Sequence, residues 1–263
     1  MRDLRHLPPE EARMRIRERK HTTPTTGISI DYAQANLVVL NKEAAYDFLL
    51  FCTRNPKPCP LLDVTEAGSP VPMLTAPGAD LRTDIPKYNL YRHGKLIEQT
   101  EDITSYWQDD LVAFLLGCSF TFEKSLLEND IPVRQIELNR NVPMYKTNIP
   151  CRPAGRFSGP MVVSMRPIPS RQVAKAVTVT SRYPSVHGTP IHIGNPALIG
   201  ITDLDKPDYG DAVPLYEGEV PVFWACGVTP QAVAAASEAD FMITHAPGHM
   251  FITDVKDQQL SLF

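Results

Sequence analysis

The sequence predicts an α/β protein, with a mixed-sheet core and a smaller inserted α+β subdomain. The chain has 263 residues, of which 43% are hydrophobic, enough for one large domain or two small ones. Strand and helix patterns alternate along its last third, which is typical of α/β folds. A separate strand–helix–strand pattern lies between irregular segments. We therefore predict a core of residues 1–130 plus 191–263 and a subdomain of residues 131–190.

The N-terminal half is predicted to be mainly helical. A helix begins near Pro8, because prolines and then glutamates occupy its first turn. Apolar residues that recur three and four positions apart predict further helices. These cover residues 32–40, 42–52, 105–116 and about 119–129. A strand is predicted over residues 61–65, and a hairpin that turns at His93 and Gly94 over residues 88–98.

The C-terminal half alternates between strands and helices. Within the predicted subdomain, strands are expected over residues 133–138 and 161–166, a helix over 170–181, and an extended segment over 190–193. Beyond it, strands are expected over residues 198–202, 220–225, 241–244 and 250–254. A helix over residues 230–237 is expected between them, because Thr229 is a favourable N-cap and Pro230 a favourable first residue.

Composition excludes several classes of partner. A net charge of -4 argues against nucleic acid, because nucleic-acid-binding proteins normally carry a basic face. The longest apolar runs, residues 111–118 and 220–228, are much shorter than the roughly 20 residues of a membrane-spanning helix. Five cysteines without a repeated spacing fit free thiols better than a disulfide framework. The sequence thus predicts a cytoplasmic protein without nucleic-acid or membrane partners.

Glu123 is the first candidate site residue. It lies in the first turn of a predicted helix, next to aromatic residues. A carboxylate desolvated by aromatic rings has a raised pKa, which suits acid–base catalysis. The alternative is an ordinary helix corner, in which an acid in the first turn stabilises the helix dipole.

A second group of candidates lies in an irregular segment rich in hydrogen-bond donors. These residues are Lys146, Asn148, Arg152 and Arg156. Prolines on both sides of Arg152 stiffen the segment, and the planar guanidinium group of arginine suits a carboxylate. We therefore predict that this loop binds a carboxylate substrate.

His187 and His192 form a third group, because glycines flank both histidines. They are candidates for binding a ligand or moving a proton, although a lone histidine is more often structural. Four aspartates between residues 203 and 211 could bind a hard cation. They do not match a calcium-loop pattern, and acidic surface turns are common, so we predict no metal here.

The fourth group follows two predicted C-terminal strands. Cys226 and Gly227 come directly after one strand and before a helix with Thr229 at its start, and His245 and His249 follow the next. Ligands of open α/β sheets bind at the carboxyl ends of strands, and a helix N-terminus favours a thiolate. The alternative is a buried cysteine beside two structural histidines.

Seven segments together resemble one known family, the D-glutamate cyclase-like proteins, also called hydro-lyases. They are GCSFTFE (117–123), NVPMYKTN (141–148), PAGRFSGP (153–160), VHGTPIHIG (186–194), DLDKPDYGD (203–211), FWACGVTPQ (223–231) and THAPGHM (244–250). The resemblance extends from about residue 32 to residue 254. It implies an α/β plus α+β architecture and an enzyme that eliminates water, as when D-glutamate closes to 5-oxo-D-proline.

The residue roles are our own hypothesis, because the resemblance implies none. Arg152 or Arg156 would hold the α-carboxylate, and His245, His249 or Glu123 would move protons. The backbone amides of residues 227–229 would stabilise an oxyanion, and Cys226 or Cys118 could act as a nucleophile. No nucleotide-binding pattern is present, so we predict no cofactor.

Two alternatives stay open at this point. One is a metal-dependent hydrolase or lyase that uses His187, His192, His245 and the aspartates of residues 203–211. The other is a non-catalytic subunit that binds a small carboxylate within a system handling oxoproline. The expected partner in each case is a small carboxylate or amino acid. A homo-oligomer is one option for the assembly of the protein.

Overall fold

The computed structural model describes residues 4–262 and contains two antiparallel sheets with six α-helices. The helices are α1 (Pro9–Arg17), α2 (Lys42–Arg54), α3 (Phe120–Glu128), α4 (Arg134–Glu137), α5 (Val173–Ser181) and α6 (Val228–Ala236). The strands are β1 (Tyr32–Asn41), β2 (Leu61–Val64), β3 (Tyr88–Arg92), β4 (Lys95–Thr100), β5 (Leu111–Gly117), β6 (Met144–Pro150), β7 (Pro160–Pro169), β8 (His192–Ile193), β9 (Glu219–Ala225), β10 (Met242–His245) and β11 (Phe251–Lys256). The α/β class is confirmed. Among the described residues all strand pairs are antiparallel, where mixed pairing was expected.

The first sheet has the order β2-β5-β1-β10-β3-β4, and β11 also pairs with β1. On one side of β1, β5 pairs with residues 35–41. On the other side, β10 pairs with residues 38–40 and β11 with residues 32–35. The chain therefore leaves the sheet between β10 and β11, and the loop of residues 246–250 opens a gap beside the middle of β1.

The second sheet has the order β6-β7-β9-β8. Its long central pair joins β7 and β9, from Val163 opposite Ala225 to Pro169 opposite Glu219. These strands come from residues 144–225, a span that overlaps the predicted subdomain of residues 131–190 and continues beyond it. The division into a core and an inserted subdomain stays a prediction.

Residues 32–40 and 105–116 were predicted to be helical, and both predictions are wrong. The two segments contain the central strands β1 and β5, which pair with each other. Alternate residues of both strands enter two different cores: Val38, Leu40 and Phe114 lie in one, and Leu37 and Leu115 in the other. A strand buried on both faces is a continuous apolar run, and helical spacing can be found in any such run.

Two predicted strands are also wrong. Residues 133–138 contain the short helix α4 instead. Ile136 and Leu138 are exposed while Arg134 is buried, so the alternating pattern does not mark a core-facing side. Residues 198 and 199 belong to a 3-10 helix, Pro196–Ile199, and residues 200–202 lie outside the strands. The Asn195 side chain caps this helix by accepting a hydrogen bond from the Ala197 N–H.

The remaining elements are confirmed, with boundaries shifted by a few residues. They include α1, α2, α3, α5 and α6, the hairpin of β3 and β4, and strands β2, β7, β9, β10 and β11. For α2, Asn41 is the N-cap, and its side chain accepts a hydrogen bond from Ala44 N–H. These segments were predictable because capping, turn chemistry and one-sided burial all favour the same element.

A cleft between two cysteine turns

A cleft of about 350 Å³ opens beside the middle of β1, where β10 and β11 separate. Its wall includes the turn after β5, the turn after β9 and the loop of residues 246–250. Residues 141, 142, 144, 209 and 210 and side chains of β1, β3, β10 and α6 complete the lining. Among the described residues, none of the side chains lining it is Asp, Glu, Lys or Arg. The cleft is therefore a mainly apolar site with a few polar atoms, which is the usual character of a small-molecule site.

Two cysteines occupy equivalent positions in this cleft. Strand β5 ends at Gly117 and is followed by Cys118, Ser119 and helix α3; strand β9 ends at Ala225 and is followed by Cys226, Gly227 and helix α6. The sulfur of Cys118 accepts a hydrogen bond from the backbone N–H of Phe120, and that of Cys226 accepts one from Val228. Each thiol thus lies at the positive end of a helix dipole.

Burial opposes ionisation of both thiols. It raises the pKa of Cys118 to about 12, while the Phe120 N–H lowers it, and proximity to Cys226 raises it further. It raises the pKa of Cys226 to about 11, while the Val228 N–H and the guanidinium of Arg166 lower it. Both groups are therefore mainly protonated at neutral pH, and their environments are similar.

Asn36, in the middle of β1, connects the two cysteine turns. Its Nδ2 donates to the Gly117 carbonyl at 3.0 Å and weakly to Leu116 at 3.4 Å. On its other side it packs against Gly227, where an added Cβ would lie 2.1 Å from Nδ2. Gly227 is therefore required because Asn36 occupies the space of a side chain, and not because of its backbone conformation.

The imidazole of His245 is held between two oxygens. Its Nδ1 lies 2.8 Å from the Ala246 carbonyl, and its Nε2 lies 3.1 Å from Oδ1 of Asn36. Burial lowers the pKa of His245 to about 4, while the Ala246 carbonyl acts in the opposite direction. A neutral imidazole has only one N–H to donate to these two acceptors. If His245 took up a second proton, the new N–H would already face an acceptor oxygen.

A buried ion pair lies behind the cleft. Both Nε and Nη2 of Arg166 donate to Glu123, and Gln135 donates to the same carboxylate at 2.7 Å. Arg166 also donates to the Ser119 hydroxyl at 3.0 Å, next to Cys118. Its guanidinium lies over two aromatic rings, those of Phe122 and Trp224. Glu123 is thus buried near aromatic rings as the sequence suggested, but it is paired with an arginine and does not line the cleft.

The candidate residues of the donor-rich loop are not brought to this cleft. Lys146, Asn148, Arg152 and Arg156 are all exposed. The Lys146 ammonium lies 5.8 Å from the centre of the Tyr209 ring, and Arg152 is tied through its backbone to Asn55. Their substrate-binding role stays a prediction.

The other predicted residues are distributed around the cleft. Gly227 and His245 line it, while Thr229 is fully buried with its hydroxyl bonded to Val162 of β7. His249 is outside the lining, with Nδ1 2.9 Å from the Pro247 carbonyl. His187 is buried against the Lys57 carbonyl, and burial lowers its pKa to about 4. His192 lies in β8, with Nε2 2.8 Å from the Asn195 carbonyl.

Sequence reasoning missed Asn36 and Arg166. Each is a polar or charged residue in a largely apolar strand, and both are nearly or fully buried. Such residues require partners, so their presence in apolar runs was a usable signal. It was lost for Asn36 because residues 32–40 were assigned to a helix.

The described residues also bear on two other classes of protein, metal-binding proteins and membrane-spanning proteins. No group of three or more His, Cys, Asp or Glu side chains among residues 4–262 is placed to hold a metal ion. In the same part of the chain, none of the helices has the length and apolar character needed to span a bilayer.

Comparison with known proteins identifies relatives over nearly the full length. A family model described as D-glutamate cyclase matches residues 112–254. "Putative hydro-lyase YcsI" of Bacillus subtilis (strain 168) is 64% identical over 256 residues, covering 97% of this chain and 100% of its own. A similarly named relative from Thermoanaerobacter sp. (strain X514) is 68% identical over 256 residues, covering 97% of each chain.

One solved structure has a weaker likeness. A nitrogen repressor-like protein from Methanococcus jannaschii aligns over 89% of this chain and 91% of its own, at 9% identity and a TM-score of 0.39. At that score the likeness supports no inference about this protein.

Proposed function

The chain belongs to the D-glutamate cyclase family, and on that premise we propose that it is a hydro-lyase whose substrate binds in the cleft between Cys118 and Cys226. We propose D-glutamate as the substrate and 5-oxo-D-proline as the product. The observation that carries the proposal is the convergence of two thiols and two helix N-termini on one cleft of about 350 Å³. That volume suits a small amino acid.

The helix starts offer a means of binding carboxylates. Among the described residues we find no hydrogen-bond acceptor for the backbone N–H of Ser119 or of Gly227. Free N–H groups at a helix N-terminus bind anions through direct hydrogen bonds and the helix dipole. A substrate carboxylate at these positions would therefore be compensated without a lysine or arginine in the cleft.

Loss of water from D-glutamate requires two proton movements. The substrate ammonium must lose a proton before its nitrogen attacks the γ-carboxyl carbon, and the departing oxygen must gain one. The carbonyl oxygen becomes negative in between, and backbone N–H groups can stabilise that charge. Cys118 and Cys226 can each donate or accept a proton, and each lies at a helix start.

His245 has a different role in this arrangement. Both of its ring nitrogens already face oxygens of the protein, so neither is free to meet a substrate. We assign it, with Asn36, to positioning the two cysteine turns. Uptake of a proton by His245 would strengthen both contacts, which gives the pair a means of responding to charge in the cleft.

The proposal is tested by incubating the purified chain with D-glutamate and measuring 5-oxo-D-proline by chiral chromatography. We expect turnover by the unmodified protein and a loss of at least about 100-fold in Cys226→Ala, because removal of a proton-transfer group has that effect. Cys151→Ala is the matched control, since Cys151 is a buried thiol outside the cleft.

Two results would contradict the proposal. Equal turnover in Cys226→Ala and Cys151→Ala would place the chemistry elsewhere. Saturable binding of D-glutamate by calorimetry, with no product from the unmodified protein, would instead support the non-catalytic binding subunit.

A further inference from the structure

Lactam formation can use both thiols of the cleft, but it does not explain why their surroundings are so similar. Closing glutamate to 5-oxoproline forms an N–C bond and breaks a C–O bond at the γ-carboxyl, and it leaves the Cα–H bond intact. That reaction requires a proton to leave nitrogen and a proton to reach the departing oxygen, but it gives no reason for two acid–base groups with matched surroundings. Cys118 and Cys226 are such a pair, since each follows a strand, precedes a nine-residue helix and accepts one helix N–H.

We propose that Cys118 and Cys226 exchange the α-proton of an acidic amino acid held between them, so that the protein also epimerises this amino acid at Cα. One cysteine first loses its thiol proton to solvent, and its thiolate then takes the α-proton. The electron pair of the broken C–H bond passes into the α-carboxylate and returns to Cα when Cα is protonated again. The thiol of the other cysteine gives its proton to the opposite face of Cα and becomes the thiolate. Nothing is oxidised or reduced, and the reverse reaction restores the starting state.

Asn36 brings the two cysteine turns together at one cleft. The turns belong to different sheets, since β5 is in the first and β9 in the second. One amide side chain connects them: Asn36 donates to Gly117 at 3.0 Å and lies against Gly227. The two thiols therefore lie on different elements of the cleft wall, with the Asn36 side chain between their turns.

The chemistry of the cleft suits a carbon acid. Removing the α-proton places charge on the α-carboxylate, and fixed N–H dipoles stabilise such charge best where water is excluded. The free N–H groups of Ser119 and Gly227 are of this kind. No Asp, Glu or Lys side chain lines the cleft in the described part of the chain, and the titratable side chains that do are the two thiols, His245, Tyr91 and Tyr209. His245 already faces two protein oxygens, and of the remaining groups the thiols are the pair placed at helix N-termini.

The two thiols are also matched in acidity, as a reversible reaction requires. Burial is the main effect on both, and it raises the pKa of Cys118 to about 12 and that of Cys226 to about 11. Helix N–H groups and the buried guanidinium of Arg166 act on both in the opposite direction. A proton can therefore reside on either sulfur at a similar cost, so neither direction of transfer is blocked.

The test measures exchange at carbon and not loss of water. The proposal rests on the proposed function for its cleft and substrate class, so both reactions are followed in the same samples. The full chain is incubated in D₂O with D-glutamate, L-glutamate, D-aspartate and L-aspartate in turn. Proton NMR reports loss of the α-proton signal, and chiral chromatography reports the opposite enantiomer and 5-oxoproline. We expect deuterium at Cα together with inversion for at least one pair of enantiomers.

Single-thiol variants give the more specific result. In Cys118→Ser and in Cys226→Ser, inversion should fall by at least about 100-fold in both directions. The remaining thiol can still remove and return a proton on its own face. One variant should therefore retain slow exchange of the α-proton of the D-enantiomer, and the other should retain slow exchange of the α-proton of the L-enantiomer. Neither variant should invert the enantiomer that it exchanges. Cys151→Ser is the control and should behave as the unmodified protein. If thermal unfolding shows that a serine variant does not fold, Cys118→Ala or Cys226→Ala takes its place.

Three outcomes would overturn the proposal. They are the absence of α-exchange by the unmodified protein with all four amino acids, undiminished inversion in a folded single-thiol variant, and residual exchange of the same enantiomer in both variants. Formation of 5-oxoproline without deuterium at Cα would overturn this inference and leave the proposed function standing. Exchange at Cα without formation of 5-oxoproline would support this inference and contradict the proposed function.

Discussion

Gly227→Ala is predicted to disrupt the centre of the cleft by a purely steric effect. The backbone φ at Gly227 is -64°, which any residue adopts, so alanine introduces no backbone strain. Its Cβ, however, would lie 2.1 Å from Nδ2 and 2.8 Å from Cγ of Asn36. Asn36 must then move, which breaks its hydrogen bond to Gly117 and its contact with His245.

The size of the effect follows from these two losses. Overpacking a rigid interior costs about 1–3 kcal/mol, and one buried hydrogen bond contributes about 1 kcal/mol. Gly227→Ala should therefore reduce the free energy of unfolding by about 2–4 kcal/mol. For a chain of this size, that corresponds to a fall in Tm of roughly 5–15 °C.

The measurement is urea unfolding of a double-mutant cycle with Asn36→Ala. Asn36→Ala alone should be destabilising, because the carbonyl of Gly117 loses its donor. It also removes the atoms that the methyl group added by Gly227→Ala would meet, so the double variant should be little less stable than Asn36→Ala, with a coupling energy of about 1–3 kcal/mol. Gly78→Ala is the control, since nothing lies within 4 Å of its added Cβ. Additive costs, or equal stability of the Gly227→Ala and Gly78→Ala variants, would refute the steric explanation.

Three further predictions concern residues that do not line the cleft. Burial raises the pKa of Asp257 to about 7 from 3.8, so its stabilising contribution is complete below about pH 4 and lost as the pH rises through 7. Asp257→Asn should remove this pH dependence of the free energy of unfolding, which is at most about 4 kcal/mol. Urea unfolding at pH 4.5 and 8 measures it, and an unchanged pH profile in the variant would contradict the prediction. Arg166→Met leaves the Glu123 carboxylate buried and unpaired, so it should lower the free energy of unfolding by about 3–5 kcal/mol, whereas adding Glu123→Gln should recover part of that loss. Arg152→Ala and Arg156→Ala should leave KM for D-glutamate within about twofold, because both side chains are exposed and outside the cleft. A tenfold rise in KM would indicate that this loop binds the substrate.

Local signals predicted elements well where one physical cause dominates. The hairpin turn lies at His93 and Gly94, where turn chemistry predicted it. The predicted start of α6 is wrong by two residues, because the helix begins at Val228 with Gly227, and not Thr229, as its N-cap. The failures at β1 and β5 have a common origin, since strands that separate two cores carry no polar face. Periodicity depends on contrast between faces, so it cannot distinguish a helix from a strand when both sides are buried.

The site was predicted in part for a similar reason. Cys226, Gly227 and His245, which line the cleft, were candidates because each lies at or just after the end of a predicted strand, which is a local property of the sequence. Asn36 was not found, because its importance comes from its partners at residues 117, 227 and 245. These contacts are set by the pairing of β1 with β5 and by the separation of β10 from β11, and no local pattern records either.

This arrangement of Asn36 has a consequence for the two thiols. Because one side chain bonds to the Cys118 turn and fills the space beside the Cys226 turn, a displacement of Asn36 must disturb both turns together. Gly227→Ala should therefore reduce α-proton exchange of the D- and L-enantiomers alike, although the added methyl lies beside Cys226 alone. The single-thiol variants, in contrast, should separate the enantiomers. A Gly227→Ala variant that selectively lost exchange of one enantiomer would show that the thiols are positioned independently, and that Asn36 does not couple them.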